Sequence, residues 1–342
     1  MGTILAVPFD LTRRTVTGAS VPVESGVRTA RWGGAASFAV SDGGTAVFVR
    51  GSNAANHLLW WVDRSGTRLG QLGDPLTTEY VRLSPFGSRV AMWIHRPEGP
   101  DMWLVDATTG EADRFTFGLG WEWTPVWSPD GRRIAYAGER EIFVEEIDAG
   151  SDPVRLRERP HEMWLMSWSP DGRWLAFDEN RPGRMRDVYV LQVDSVENLI
   201  PIAETTADEC CAQFSPDGRW LAYQADGEVY VVSFPQLGAM RQISVSGGVN
   251  PRWSSVGDEL FYWQDSTFMV VSVSTHGPFE RGSPRPLFTA PEVLAPEPRY
   301  DVAPDARRFL LRVGNPDAPA REIHVVLNWF DELKQRAGNG ND

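Results

Sequence analysis

Seven times along the chain, at nearly even intervals, an apolar strand end runs into a Ser-Pro-Asp-Gly-type turn and out into a second apolar strand. Full copies read WSPDGRRIAYAG from Trp127, WSPDGRWLAFDE from Trp168 and FSPDGRWLAYQA from Phe214. Degenerate copies start at Val40, Leu83, Trp253 and Val302. The first turn residues, Ser41, Ser84, Ser128, Ser169, Ser215, Ser254 and Ala303, are spaced 39 to 49 residues apart. A period of roughly 40–45 residues with four short strands per unit predicts a β-propeller. Blades display loops around a central channel and encode no chemistry of their own, so architecture is constrained while function stays open.

Each repeat parses into four strands. In the third, Thr124–Ser128 is the inner strand, Arg132–Ala137 the second, Glu141–Ile147 the third and Pro153–Leu156 the edge. In the turn, proline presets φ, while aspartate and glycine supply a side-chain acceptor and left-handed backbone. Asp130, Asp171, Asp217 and Asp305 are therefore read as local backbone acceptors rather than metal ligands.

Residues 1–26 carry two strand-like runs ahead of the first turn, and Glu322–Phe330 gives one more strand after the last. Joining these ends would close the ring and hide two sheet edges. The expectation is an all-β chain with one propeller domain over residues 1–336. Seven blades are favoured, six are the alternative, and a disordered tail is expected over 337–342.

The 342 residues include 15 Trp, enough for a large core, and the net charge is −13. Such a surface repels phosphate backbones and argues against nucleic-acid binding. The only two cysteines, Cys210 and Cys211, are adjacent, which gives neither a disulfide framework nor zinc-type spacing. No apolar run reaches membrane-spanning length and the N-terminus lacks a signal-peptide pattern, so no membrane insertion by this chain is expected.

No nucleophile elbow, phosphate loop, dinucleotide fingerprint or zincin motif occurs, and the histidines His57, His95, His161, His276 and His324 are scattered singly. No enzyme activity, cofactor or metal is expected. One positional regularity suggests a ligand site. Glu79, Glu122, Glu162, Glu209 and Glu297 sit five to seven residues ahead of their turns, with Asn250 in the sixth place. At a channel mouth such carboxylates would draw a cation or basic side chain. Tyr80, Trp121, Trp123 and Trp164 beside them could form a cation–π cage. The competing expectation is that the glutamates are ordinary loop residues and the tryptophans pack between blades.

The repeated W/F-S-P-D-G-[RK]-x-[IL]-A-[YF] resembles the propeller repeat of TolB-type proteins and of prolyl-oligopeptidase propellers. GTILAVPFDLTRRTVTGASVPV at the start and EIHVVLNWFDELKQR at the end resemble the propeller half of bacterial serine/threonine kinases. The Gly-rich loop, H-R-D and D-F-G of those kinases are missing, so no kinase residue carries over. The resemblance implies a non-catalytic sensor or scaffold module in signalling, a detached or truncated piece of such a kinase. It would be a monomer that binds a protein, peptide or small ligand at a channel mouth. That implies a cytoplasmic location as the chain stands, or an extracytoplasmic one as the sensor half of a membrane kinase. The alternative is the gating propeller of a prolyl-oligopeptidase-like hydrolase whose catalytic domain lies elsewhere.

Overall fold

The computed structural model describes residues 2–27, 36–50, 57–96, 99–117, 122–138, 140–150, 152–195, 197–291, 293, 300–318 and 322–338. They are almost entirely antiparallel strands, with one helix at Trp329–Gly338. The sequence reading puts one domain over 1–336. The contacts gather instead into two compact units, Asn56–Asn315 and a second made of Met1–Ala55 with Pro316–Asp342.

Unit Asn56–Asn315 holds six sheets among its described residues. Four are simple meanders that begin at the inner strands Thr78–Leu83, Trp123–Trp127, Glu162–Trp168 and Glu209–Phe214. The sheet beginning at Val249–Trp253 carries two outer strands, Glu280–Arg281 and Arg285–Thr289, both on Thr267–Ser274. The last is composite: Tyr300–Val302 and Arg308–Gly314 from the end of the unit pair with His57–Asp63 and Arg68–Gln71 from its start. This composite sheet is called blade 1 here and the others blades 2 to 6 in chain order.

The inner strands neighbour one another in a closed cycle, from Thr78–Leu83 through each blade to Tyr300–Val302 and back. Among the described residues this cycle holds six sheets, the alternative to the favoured seven, and residues 57–71 rather than residues 1–26 complete it. The reason is register. His57–Asp63 pairs residue for residue with Arg308–Gly314, from Asp63 opposite Arg308 to His57 opposite Gly314. With Tyr300–Val302 on its other side, Arg308–Gly314 is paired along both edges and has no place for a strand from residues 1–26. A two-point ion pair fastens the closure, with Arg64 Nη1 and Nη2 each 2.7 Å from a Glu259 carboxylate oxygen on blade 6.

The turn chemistry repeats almost atom for atom. Ser128 Oγ donates to Asp130 Oδ1 at 2.6 Å and accepts the Arg133 N–H at 2.9 Å, while Asp130 Oδ1 accepts the Arg132 N–H. Ser169 with Asp171, and Ser215 with Asp217, make the same set. Gly131 adopts φ 68°, the left-handed value this turn requires. Degenerate copies keep the chemistry by moving it. Ser254 bonds Asp258 at 2.6 Å, two positions later than the usual aspartate, and Ala306 takes φ 52° in the glycine place. Ser128, Ser215 and Ser254 are completely buried, so each hydroxyl finds its partners within the turn, while Asp130 and Asp258 remain exposed.

Between blades the core consists of the alternating faces of the strands. Ala135, Ala176 and Ala222 on the second strands are fully buried, the small residues that let neighbouring sheets approach. Phe177, Leu175, Leu165 and Trp168 belong to one cluster, and Phe261, Phe268, Phe309 and Tyr300 to another.

The second unit pairs Gly2–Ala6 with Val21–Val27, and Ala46–Arg50 with Phe38–Val40 and Glu322–Val326. Val27 joins the two parts by pairing with Arg50. The first turn motif, at Ser41, thus belongs here and not to the ring. The expected strand Glu322–Phe330 stops at Val326, and Trp329–Gly338 is a helix. Asp331 and Glu332 favour its N-terminal end, and buried Trp329 packs with Val23 and Ala46. Of the tail expected to be disordered, residues 337–338 end this helix and 339–342 lie outside the described residues.

Candidate functional site

The closed cycle brings one position of every inner strand to the same place. Two residues before each turn stand Arg82, Val126, Ser167, Gln213, Arg252 and Asp301. All six line an opening of about 300 Å³, rimmed by the turn prolines Pro85, Pro129, Pro170 and Pro216. The apolar wall comes from the residues just before the turns, Leu83, Trp127, Trp168 and Phe214.

Side chains stitch this ring across blade boundaries. Trp127 Nε1 donates to the Arg82 carbonyl at 3.0 Å, and Trp253 Nε1 to the Gln213 carbonyl at 3.0 Å. Ser167 Oγ donates to the Ala212 carbonyl and accepts the Phe214 N–H. Gln213 Nε2 donates to the Met166 carbonyl at 2.8 Å. The backbone around the opening is thereby held with its polar groups satisfied.

The charges are not balanced in the same way. Arg82 and Arg252 are 7% and 4% exposed. Each donates one Nη1–H to the carbonyl of the preceding residue, Val81 and Pro251. Arg82 Nε and Arg252 Nε and Nη2 are buried without a hydrogen-bond partner. The adjacent carboxylate, Asp301, accepts the Leu83 N–H at 2.8 Å and the Val302 N–H at 2.9 Å. It lies 3.7 Å from Arg252 Nε, an ion pair but not a hydrogen bond. Burial, and next the Arg252 guanidinium, pull the Arg82 pKa down to about 9. Arg82 is therefore still charged at neutral pH.

Asp178, Cys210 and Cys211 are the single group of three potential ligands gathered within 4.8 Å among the described residues. Both Asp178 oxygens receive the Cys211 N–H, at 3.0 and 3.1 Å, and burial pushes its pKa up to about 7. The two sulfurs are 2.7 Å apart, and this contact, together with burial, pushes the Cys210 thiol well above its ordinary range. All three groups are already engaged with one another by hydrogen bonds, which suits a packed buried group.

The residues singled out from the sequence lie at the leading ends of the inner strands, and their side chains go different ways. Glu79 is buried opposite Trp93, and Tyr80 beside it is half-buried with φ 55°. Glu122 faces a cleft of about 660 Å³ with Arg114, Tyr136 and Glu145, where burial raises its pKa. Trp123 is buried and reaches across to donate Nε1–H to the Met163 carbonyl at 2.9 Å. Glu162 is exposed and Trp164 half-buried. Glu209 is buried and accepts Thr205 Oγ1–H at 2.6 Å. Asn250 is buried with φ 55°, and its carbonyl accepts the Tyr300 hydroxyl at 2.7 Å. Glu297 and Trp121 lie outside the described residues. No three of these carboxylates come within reach of one ion among the described residues.

Sequence reading passed over the arginine pair. Its signal is an arginine at the penultimate position of an inner strand, two places before the turn serine, where the equivalent residue in the third blade is Val126.

The fold these strands define is a β-propeller. No family model and no curated protein matches the chain. Among solved structures it is similar to a protein assigned as TolB in Agrobacterium tumefaciens, at 18% identity and TM-score 0.60, over 76% of this chain and 99% of that one. It is similar to TolB from Acinetobacter baumannii at 13% identity and TM-score 0.51, over 81% and 68% of the two chains. A chain of a nidogen/laminin complex matches at 12% identity and TM-score 0.51, over 63% and 89%. At these identities the likeness is one of fold.

Proposed function

We propose that the protein is a non-catalytic propeller that binds a partner or small ligand at the turn end of its channel. The observation that carries this is the convergence of Arg82, Val126, Ser167, Gln213, Arg252 and Asp301 on one opening, with guanidinium donors left without a hydrogen bond there. A rigid, stitched ring with unsatisfied donors is a preorganised binding site. The lining offers neither imidazole nor thiol to act as base or nucleophile, which supports binding over turnover.

A role as the sensor module of a kinase rests on the resemblance of residues 2–23 and 322–336 to kinase-associated propellers. Its support is that Gly2–Ala6, Val21–Val27 and Glu322–Val326 meet in one sheet. An in-frame kinase domain encoded upstream of Met1 is the outcome this role requires. The glutamates at the leading ends enter the reading through Glu122, whose cleft with Glu145 would suit a basic group of the same partner.

The binding reading is tested by plugging the opening. Gln213 is partly exposed within it, so Gln213→Trp fills the space from the rim. Compounds and peptides that raise the melting temperature of the wild type should cease to do so in this variant, given an intact unfolding transition. Ligands that act equally on both proteins, or any that are turned over, would sink the reading.

A further inference from the structure

We infer that the channel opening takes a carboxylate monoanion carried on an apolar group, held between Arg82 and Arg252. This rests on the opening being the binding site and adds the chemistry of what enters it.

The reasoning is one of charge and geometry. Two guanidiniums and one carboxylate meet here, and both Asp301 oxygens already accept backbone N–H groups. Three buried guanidinium nitrogens keep no hydrogen-bond partner, and the single ion pair among them, Arg252 Nε to Asp301, is a loose 3.7 Å. Burying a cation without a partner is costly, so a site that does this is built for a counter-charge that arrives from outside. The other carboxylate that acts on Arg252, Asp178, is engaged by the Cys211 N–H and holds its proton up to about pH 7, so it compensates only part of the charge.

One surplus positive charge matches a monoanion. A phosphate dianion would overfill it and would also meet the repulsion of a chain with net charge −13. Guanidinium forks fit a carboxylate with two parallel N–H bonds. The walls choose the rest of the ligand. Leu83, Trp127, Trp168 and Phe214, with the four turn prolines, offer apolar surface to whatever the carboxylate is attached to. A free organic acid and a peptide C-terminus share this chemistry.

Three other features are weaker. The Glu122 cleft is an acidic cluster in which the carboxylate is only half-buried. The Asp178–Cys210–Cys211 group is closed by its own hydrogen bonds. The apolar residues exposed around Phe9 and Leu11 have nothing on them to say what covers them.

The experiment uses N-acetyl-leucine, N-acetyl-leucine amide, hexanoate, inorganic phosphate and an acetylated tripeptide with a free C-terminal leucine, each titrated calorimetrically into the full chain. N-acetyl-leucine and at least one other carboxylate should bind, and the amide should not. Arg82→Gln and Arg252→Gln should each weaken binding by about tenfold or more, the loss expected for a charge-assisted pair. Arg252→Lys should also weaken it, because a point charge replaces the fork. Tighter binding of hexanoate assigns a free acid, and tighter binding of the tripeptide a chain terminus. Phosphate binding above the carboxylates, equal binding of acid and amide, no carboxylate binding, or full affinity in both arginine variants would each overturn the inference. If library ligands are still lost on Gln213→Trp while carboxylates fail, this inference falls and the binding reading stands. If nothing is lost on plugging, the binding reading falls as well.

Discussion

Arg252 of blade 6 and Asp301 of blade 1 stand 3.7 Å apart at the channel opening, yet the carboxylate accepts its hydrogen bonds from the Leu83 and Val302 N–H groups instead. The pair is electrostatic without being bonded. Replacing Arg252 by Met removes a buried, under-compensated charge and should leave the unliganded protein as stable as before, or raise its stability by about 1–4 kcal/mol. Asp301→Ala should cost about 3–5 kcal/mol, because it strands two guanidiniums and the Leu83 N–H. Urea denaturation of the two variants decides this, and a marked loss for Arg252→Met would mean the guanidinium is satisfied.

Trp168 is buried in the cluster between blades, with the Arg133 guanidinium 5.2 Å from its ring. Trp168→Ala should cost roughly 3–5 kcal/mol, the usual range for emptying an aromatic core site. Chemical denaturation with an unchanged m-value is the check.

Trp127 ties the third blade to the second through its bond to the Arg82 carbonyl. Trp127→Phe keeps an aromatic ring but removes the donor, and with it this bond between blades, at a cost of about 0.5–1.5 kcal/mol. Because this carbonyl belongs to Arg82, calorimetry should also show weaker N-acetyl-leucine binding in Trp127→Phe.

Burial holds the Asp178 carboxyl at about 7 against an ordinary value of 3.8, with the Arg186 charge and the Cys211 N–H opposing. Its folded pKa is raised, so between about pH 4 and 7 the folded chain keeps a proton that the unfolded chain has released. The stability this supplies is complete below about pH 4 and is lost as pH rises through 7. Glu122 and Glu145 act in the same direction, while Glu179 and Asp208 act in the opposite one. Urea midpoints from pH 4.5 to 8 should therefore fall less steeply in Asp178→Asn than in the wild type. Parallel profiles would show that Asp178 is ionised throughout.

Cys210 and Cys211 are both buried, and the Cys210 thiol is pushed well above its ordinary range. Iodoacetamide at pH 7.5 should leave both untouched in the native protein and modify both in urea, as read by mass spectrometry. Fast native alkylation would place them in an open, reactive setting.

The repeat was legible because its chemistry is local. Ser128, Asp130 and Gly131 make their bonds within five residues, so the turn, the strands on either side and the propeller architecture follow from a dozen consecutive letters. Closure was not legible. Which strand completes blade 1 depends on His57–Asp63 matching Arg308–Gly314 across some 250 residues of chain, and Ala46–Arg50 looks equally strand-like in isolation. The helix at Trp329–Gly338 was missed for a related reason: its apolar residues read as a strand until Trp329 finds Val23 and Ala46 to pack on.

The site divides the same way. Sequence alone determined that Glu79, Glu122, Glu162 and Glu209 would sit at the leading ends of inner strands. Tertiary structure decided that Glu209 turns to Thr205, Glu122 to a cleft between blades, and Trp123 to the next blade's backbone. It also decided that Arg82 and Arg252, 170 positions apart, share one opening and one insufficient carboxylate. Periodicity places residues on strands. Only the closed ring sets the distances between strands, and the energy of a buried charge depends on those distances.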